Sequence, residues 1–151
     1  RIEALSCDHE EADSRLLLRS KHAAERSNCV IIKSPDTDVF IIAVALCKDI
    51  SRGSNIYFQK GQKVKRIVDI NKIAENRGPL KSSSLLGLHT FSGCDSVSSF
   101  YGKGKVKAWK LMDESNTYDP FISLGKDLEP ATELLSKLDS FACALSSTSQ
   151  F

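Results

Sequence analysis

An α/β fold, a parallel sheet with flanking helices, is what this sequence predicts, and three observations carry that expectation. Cys29-Val30-Ile31-Ile32 is apolar at every position and rich in β-branched residues, the pattern of a strand buried on both faces of a parallel sheet. A helical apolar period precedes it, and a hairpin pattern follows within thirty residues. With 151 residues, 41% hydrophobic and 26% charged, the chain has the size and composition of one globular domain.

The elements follow in order. Asp8 and Glu11 form a capping-box-like start for a helix over about His9 to Arg26, with Leu16 and Ala23 on the face of Ala12 and Leu17, Leu18 and Ala24 broadening it. The strand at Cys29 ends in Ser34-Pro35-Asp36-Thr37-Asp38. Val39 to Leu46 is apolar on nearly every side, which suits a buried helix capped by Asp36 or Thr37 and also suits a second strand. Tyr57-Phe58-Gln59 and Val64 to Val68, separated by Lys60 to Lys63, read as an antiparallel hairpin. Asp69 to Glu75 reads as a helix stopped at Gly78-Pro79. Beyond Leu80 the pattern is helical: Leu85 to Phe91, a break at Gly93-Cys94-Asp95, a loop at Tyr101-Gly102-Lys103-Gly104, then Val106, Trp109 and Met112 at helical spacing. Glu129-Pro130 opens a last helix to about Ala144, and residues 146–151 read as a frayed polar tail.

Composition excludes several classes. The longest apolar run, Val39 to Cys47, falls well short of the ~20 residues of a bilayer span. The start, Arg1 followed by Glu3, Asp8, Glu10 and Glu11, is no secretory signal. Five scattered Cys without a C-x-x-C pair disfavour a zinc knuckle or a disulfide scaffold, and Cys29 and Cys47, in apolar runs, suit buried thiols in a reducing intracellular setting. No G-x-S-x-G or Walker loop is present. The chain begins at Arg1, and its one Met is Met112, as expected for a piece of a longer protein.

The net charge of +2 conceals a division. Arg52 to Lys110 holds twelve Lys/Arg against Asp69, Glu75 and Asp95, a local charge of +9 that leaves −7 elsewhere. A basic segment of this kind suits a polyanion partner, and solvated lysines alone would also account for it. Gly102, Lys103, Gly104 and Lys105 precede a helix whose N-terminus favours phosphate, and Lys107 and Lys110 add charge that grips nucleic-acid backbone without reading sequence.

Carboxylates gather at three places: Glu10, Glu11 and Asp13 in one helical first turn; Asp36 and Asp38 after the buried strand, where open α/β sheets hold ligands; and Asp95 in the Gly-Cys-Asp break. Converging carboxylates without Cys or His suit Mg²⁺ or Mn²⁺, and two such ions serve phosphodiester hydrolysis. Capping roles for Glu11 and Asp36 are the structural alternative.

Taken in this order, the motifs resemble the flap endonuclease and XPG family of PIN-like nucleases, and more closely the divergent PIN-like domains of transposon-associated eukaryotic proteins. That family carries Glu-Ala-Glu-Ala on a helix, Asp-x-Asp after a strand, and Gly-Ser-Asp-Tyr leading to Gly-Ile-Gly. Here Glu11-Ala12 matches the second Glu-Ala, Asp36 and Asp38 the Asp-x-Asp, Asp95 the acid of Gly-x-Asp, and Gly102-Lys103-Gly104 the loop of a helix-two-turn-helix. The match covers Cys7 to Met112, with His9 at the first helix acid unless Glu10 takes its place.

The resemblance implies a Rossmann-like PIN sheet, incomplete at its N-terminus, over residues 1–145. Its acidic α/β part would span 7–78, a helical nucleic-acid-binding part 79–115, and C-terminal helices 116–145. It implies a structure-directed, metal-dependent phosphodiesterase acting on DNA or RNA, weak or inactive in this piece and nuclear in setting. Asp36 and Asp38 would be catalytic, and Glu10, Glu11, Asp13, Asp36, Asp38 and Asp95 would hold two Mg²⁺ or Mn²⁺ ions. The runner-up is a non-catalytic nucleic-acid or protein interaction module. A phosphatase-like hydrolase with Asp36 as nucleophile comes third.

Overall fold

The computed structural model describes residues 12–61, 66–93, 100 and 104–147. The chain divides into two compact units, Arg1–Ser82 and Ser83–Phe151, with the boundary inside one helix. Unit 1 runs α1 (Ala12–Ala24), β1 (Cys29–Lys33), α2 (Thr37–Ala45), α3 (Cys47–Ser51), β2 (Asn55–Lys60), β3 (Arg66–Asp69) and α4 (Ile70–Arg77). Helix α5 (Pro79–Phe91) crosses the boundary, and unit 2 continues with α6 (Lys105–Ser115), α7 (Asp119–Ser123) and α8 (Thr132–Ser147).

The sheet has the order β1-β2-β3. β1 and β2 are parallel, with Ile31 opposite Tyr57, and β3 turns back antiparallel with Val68 opposite Phe58. The α/β class and the hairpin agree with the sequence reading. Burial on both faces of β1 does not: Ile32 is 1% exposed, whereas its neighbour Ile31 is 52% exposed and Cys29 is exposed. Successive strand residues point to opposite faces, and the helices cover only the Ile32-Ile56-Phe58 face, where Phe40 of α2 meets Phe58 edge-on at 5.3 Å. On the other face Ile31 and Ile67 are exposed and Tyr57 is half-buried, so an unbroken apolar run marks a half-buried strand here.

Val39 to Ala45 resolves as helix, with Leu46 as its C-cap. Asp36 caps it, and a residue that caps a helix cannot also continue a strand. The core stripe of α1 is Leu17, Ser20 and Ala24, one position on from the predicted face, and Ser20 returns its buried hydroxyl to the Leu16 carbonyl at 2.8 Å. Cys47 is buried; desolvation, reinforced by the negative charges of Glu75 and Asp69, raises its thiol pKa and keeps it protonated. Ser54 and Asn71 tie the strand ends to the helices: the Ser54 hydroxyl reaches the Ala24 and Ser27 carbonyls at 2.8 and 2.7 Å, and Asn71 accepts from the Ile56 N–H at 2.7 Å while donating to the Ser54 carbonyl at 3.2 Å.

Unit 2 is held by side-chain packing. Leu88, Ala108, Met112, Phe121, Leu138, Phe141 and Leu145 are buried together, and Phe91, Phe121 and Phe141 meet edge-on at 4.8 to 6.1 Å. Gly87 lies so close to the Phe121 carbonyl that a Cβ there would overlap it, so α5 and α7 approach only because residue 87 has no side chain. Helix α8 runs to Ser147, taking in two residues read as frayed tail; Thr148 onward lies outside the described residues.

Candidate functional site

In unit 1 the turn from β1 to α2 gathers the acidic residues of the sequence reading. Asp36 is extended (φ −79°, ψ 135°) and its Oδ1 accepts from the Asp38 N–H at 2.8 Å, while its own N–H donates to Ser34 Oγ at 3.1 Å. Both Asp36 and Asp38 are half-buried. Because β2 is parallel to β1, its C-terminal residue, Lys60, reaches the same end of the sheet and donates from Nζ to Thr37 Oγ1 at 3.1 Å. The Asp36 carboxylate, the Ser34 and Thr37 hydroxyls and the Lys60 ammonium thus lie at the strand ends, where parallel sheets place their ligands, and Asp38 follows in the first turn of α2. Lys60 was not singled out in the sequence, since nothing local marks it. A charged residue closing the strand parallel to an acidic strand end was the available signal.

Asp36 keeps its second carboxylate oxygen, and Asp38 is placed two residues on by a turn rather than by strand alternation. Such oxygen donors fit a hard divalent cation such as Mg²⁺ or Mn²⁺. Asp13 sits in the first turn of α1, half-buried and engaged by a neighbour. Glu10, Glu11 and Asp95 lie outside the described residues, and among the described residues no three His, Cys, Asp or Glu side chains group to hold a metal.

In unit 2 the basic residues open α6. Gly104 is its N-cap (φ −74°, ψ 161°) and supplies no side chain to the free N–H groups; Lys105 and Lys110 are exposed, and Lys107 is half-buried. Gly102 and Lys103 lie outside the described residues. The first turn of α6 carries no acid and its last turn no base, whereas Asp113 and Glu114 stand near its C-terminal end. This order opposes the helix dipole, which favours acids at the N-terminus and bases at the C-terminus by about 0.3–1 kcal/mol each. Phe100 and Trp109 pack against the core of the unit, Trp109 as its helical spacing with Val106 and Met112 predicts, and Phe100 lies 5.3 Å from Phe91.

No described helix is long and apolar enough to cross a membrane. No protein-family model, curated protein or solved structure matches the chain.

Proposed function

We propose that this chain takes part in metal-dependent phosphodiester hydrolysis of DNA or RNA, with Asp36 and Asp38 as the residues that hold Mg²⁺ or Mn²⁺. The observation that carries the reading is the Asp36-Thr37-Asp38 turn at the C-terminal end of a parallel strand pair, where Asp36 accepts from the Asp38 N–H and Lys60 of the neighbouring strand reaches Thr37. A cation bound there would activate water and offset charge on the scissile phosphate. The chain's own residues divide the remaining work. The Asp38 N–H and the Ser34 hydroxyl fix the Asp36 carboxylate and backbone, so one oxygen stays directed by the turn while the other remains for a ligand. Within unit 2, Lys105, Lys107 and Lys110, with Gly102, Lys103 and Gly104 before them in sequence, form a separate basic segment suited to nucleic-acid backbone, which it would grip by charge without reading bases.

The test is cleavage of a generic oligonucleotide with Mg²⁺ or Mn²⁺, with Asp36→Asn and Asp38→Asn beside the unaltered chain. Each amide keeps the shape of the turn and removes the charge that holds the cation, so each is expected to end cleavage while the melting temperature stays. An unaltered chain that is inert with both metals refutes the hydrolase.

A second reading, a non-catalytic nucleic-acid interaction module, is favoured by one observation of its own. The lysines of α6 stand where they work against their helix, independently of the acidic turn, and Asp36 already has a structural role as a cap. Binding that survives Asp36→Asn and Asp38→Asn, in a chain without cleavage, selects this module.

A further inference from the structure

On unit 1, helices α1, α2 and α3 leave a hollow of about 310 Å³. Leu18 and Ile42 line it half-buried, Ile50 closes its floor, and Leu46, which links α2 to α3, stands 37% exposed at its edge. The core stripe of α1 runs through Leu17, Ser20 and Ala24, so Leu18 is apolar beyond what the core of the unit uses. Lys21 of α1 and Asp49 of α3 border the same hollow. Neither forms an ion pair with any described residue, although nearby charges do pair, Arg52 with Glu25 at 3.0 Å.

An apolar strip flanked by one unused cation and one unused anion has the property that a two-fold interface demands. The same patch must supply both members of every contact, so it must complement itself. A partner of different sequence imposes no such balance. We propose that this hollow is the contact between two copies of the chain: they lie across it about a two-fold axis, Lys21 of each copy meets Asp49 of the other, and the two Leu46 side chains cover each other. With one small hollow and one pair of charges contributed by each copy, the association is weak, with a dissociation constant on the order of tens of micromolar.

Sedimentation velocity of the full chain from roughly 5 to 500 µM reads the association. The unaltered chain passes from monomer to dimer over this range. Lys21→Glu and Asp49→Lys each raise the dissociation constant at least tenfold, because each sets like charges against one another at both ends of the interface. An equimolar mixture of the two variants recovers association, since every contact between positions 21 and 49 across the mixed interface joins opposite charges again. Leu46→Ala weakens association without touching charge, and circular dichroism confirms that each variant remains folded. An unaltered chain that stays monomeric throughout, as it would if a different protein occupies the hollow, overturns the proposal. So do charge reversals that leave association unchanged, or a mixture that associates no better than its components.

Discussion

Helices α2 and α6 both open on charged residues, and they use those charges in opposite ways. At α2, Asp36 and Asp38 sit at the positive end of the dipole, Asp36 accepts a backbone N–H, and the acidic start supports the helix. At α6, Lys105 and Lys107 sit in the first turn, at the positive end, and Asp113 and Glu114 near the negative end, so the charge order opposes the helix. Lys110 also precedes Glu114 by four residues, the less favourable direction for such a pair. The difference concerns how far a charge supports a functional reading. A carboxylate that stabilises its own helix is already accounted for by the fold, whereas a lysine at the positive end gains nothing from the dipole and would gain from an anionic ligand.

Substitutions at the two helix starts test this contrast, and the largest effect is expected at Asp36. Asn is as good an N-cap as Asp, whereas Ala is a poor one. Asp36→Asn should therefore leave urea-melting stability within a few tenths of a kcal/mol while ending any metal-dependent cleavage, and Asp36→Ala should end cleavage and lose about 1 kcal/mol as well. If the Asn variant cleaves as the unaltered chain does, Asp36 serves as a cap alone and the contrast becomes absolute.

At α6 stability and binding should move in opposite directions. Lys107→Glu places an acid in the first turn of α6, at the positive end of the dipole, which should stabilise the chain by about 0.3–1 kcal/mol in urea melts at low salt. The same change should weaken binding to a generic oligonucleotide about tenfold or more. A variant that loses both stability and binding would show that Lys107 serves the fold and would remove the contrast.

A smaller effect tests whether the α6 lysines act as phosphate contacts. Lys105→Ala and Lys107→Ala should each flatten the dependence of log affinity on log salt by ~0.7 to 0.9, the value for one released counterion. Equal slopes in variant and unaltered chain would make these lysines ordinary solvated surface.

The least change is expected in α8, where Glu133 and Lys137 pair at 2.7 Å in the favourable order, with both side chains well exposed. The hydrogen bond and charge of Lys137 lower the Glu133 carboxyl pKa below its ordinary value. A lowered folded-state pKa contributes stability above the ordinary carboxyl pKa and loses it as pH falls through the folded value. Solvent screens so exposed a pair, so Glu133→Gln should barely alter the acid limb of a thermal melt. A large shift would mean that α8 draws more on charge than on its buried Leu138, Phe141 and Leu145.

Local chemistry made some of this molecule readable in advance. Asp36 and Asp69 cap α2 and α4 through bonds that span two or three residues, so their roles follow from sequence neighbours. The hairpin and the stop at Gly78, which has a φ of +78°, follow from turn residues in the same way. The helical face of α1 was displaced by one position, because Leu16, Leu17 and Leu18 are equally apolar and only packing selects among them. Short helices such as α7 were not visible at all: Asp119–Ser123 is too brief to show a period, and its place is set by Pro120 and Phe121 becoming buried in unit 2.

Residues a few positions apart were enough to settle the α/β class, the acidic turn after a β-branched strand, and the basic opening of α6. Long-range packing was needed to bring Lys60 to the acidic turn from twenty-three residues away, to leave Ile31 facing open space while Ile32 is buried, and to set Gly87 against the Phe121 carbonyl. One cause underlies all three. Strand pairing, the choice of covered face and the approach of two helices are settled by which surfaces meet, and an apolar or charged residue carries no record of the surface it will meet.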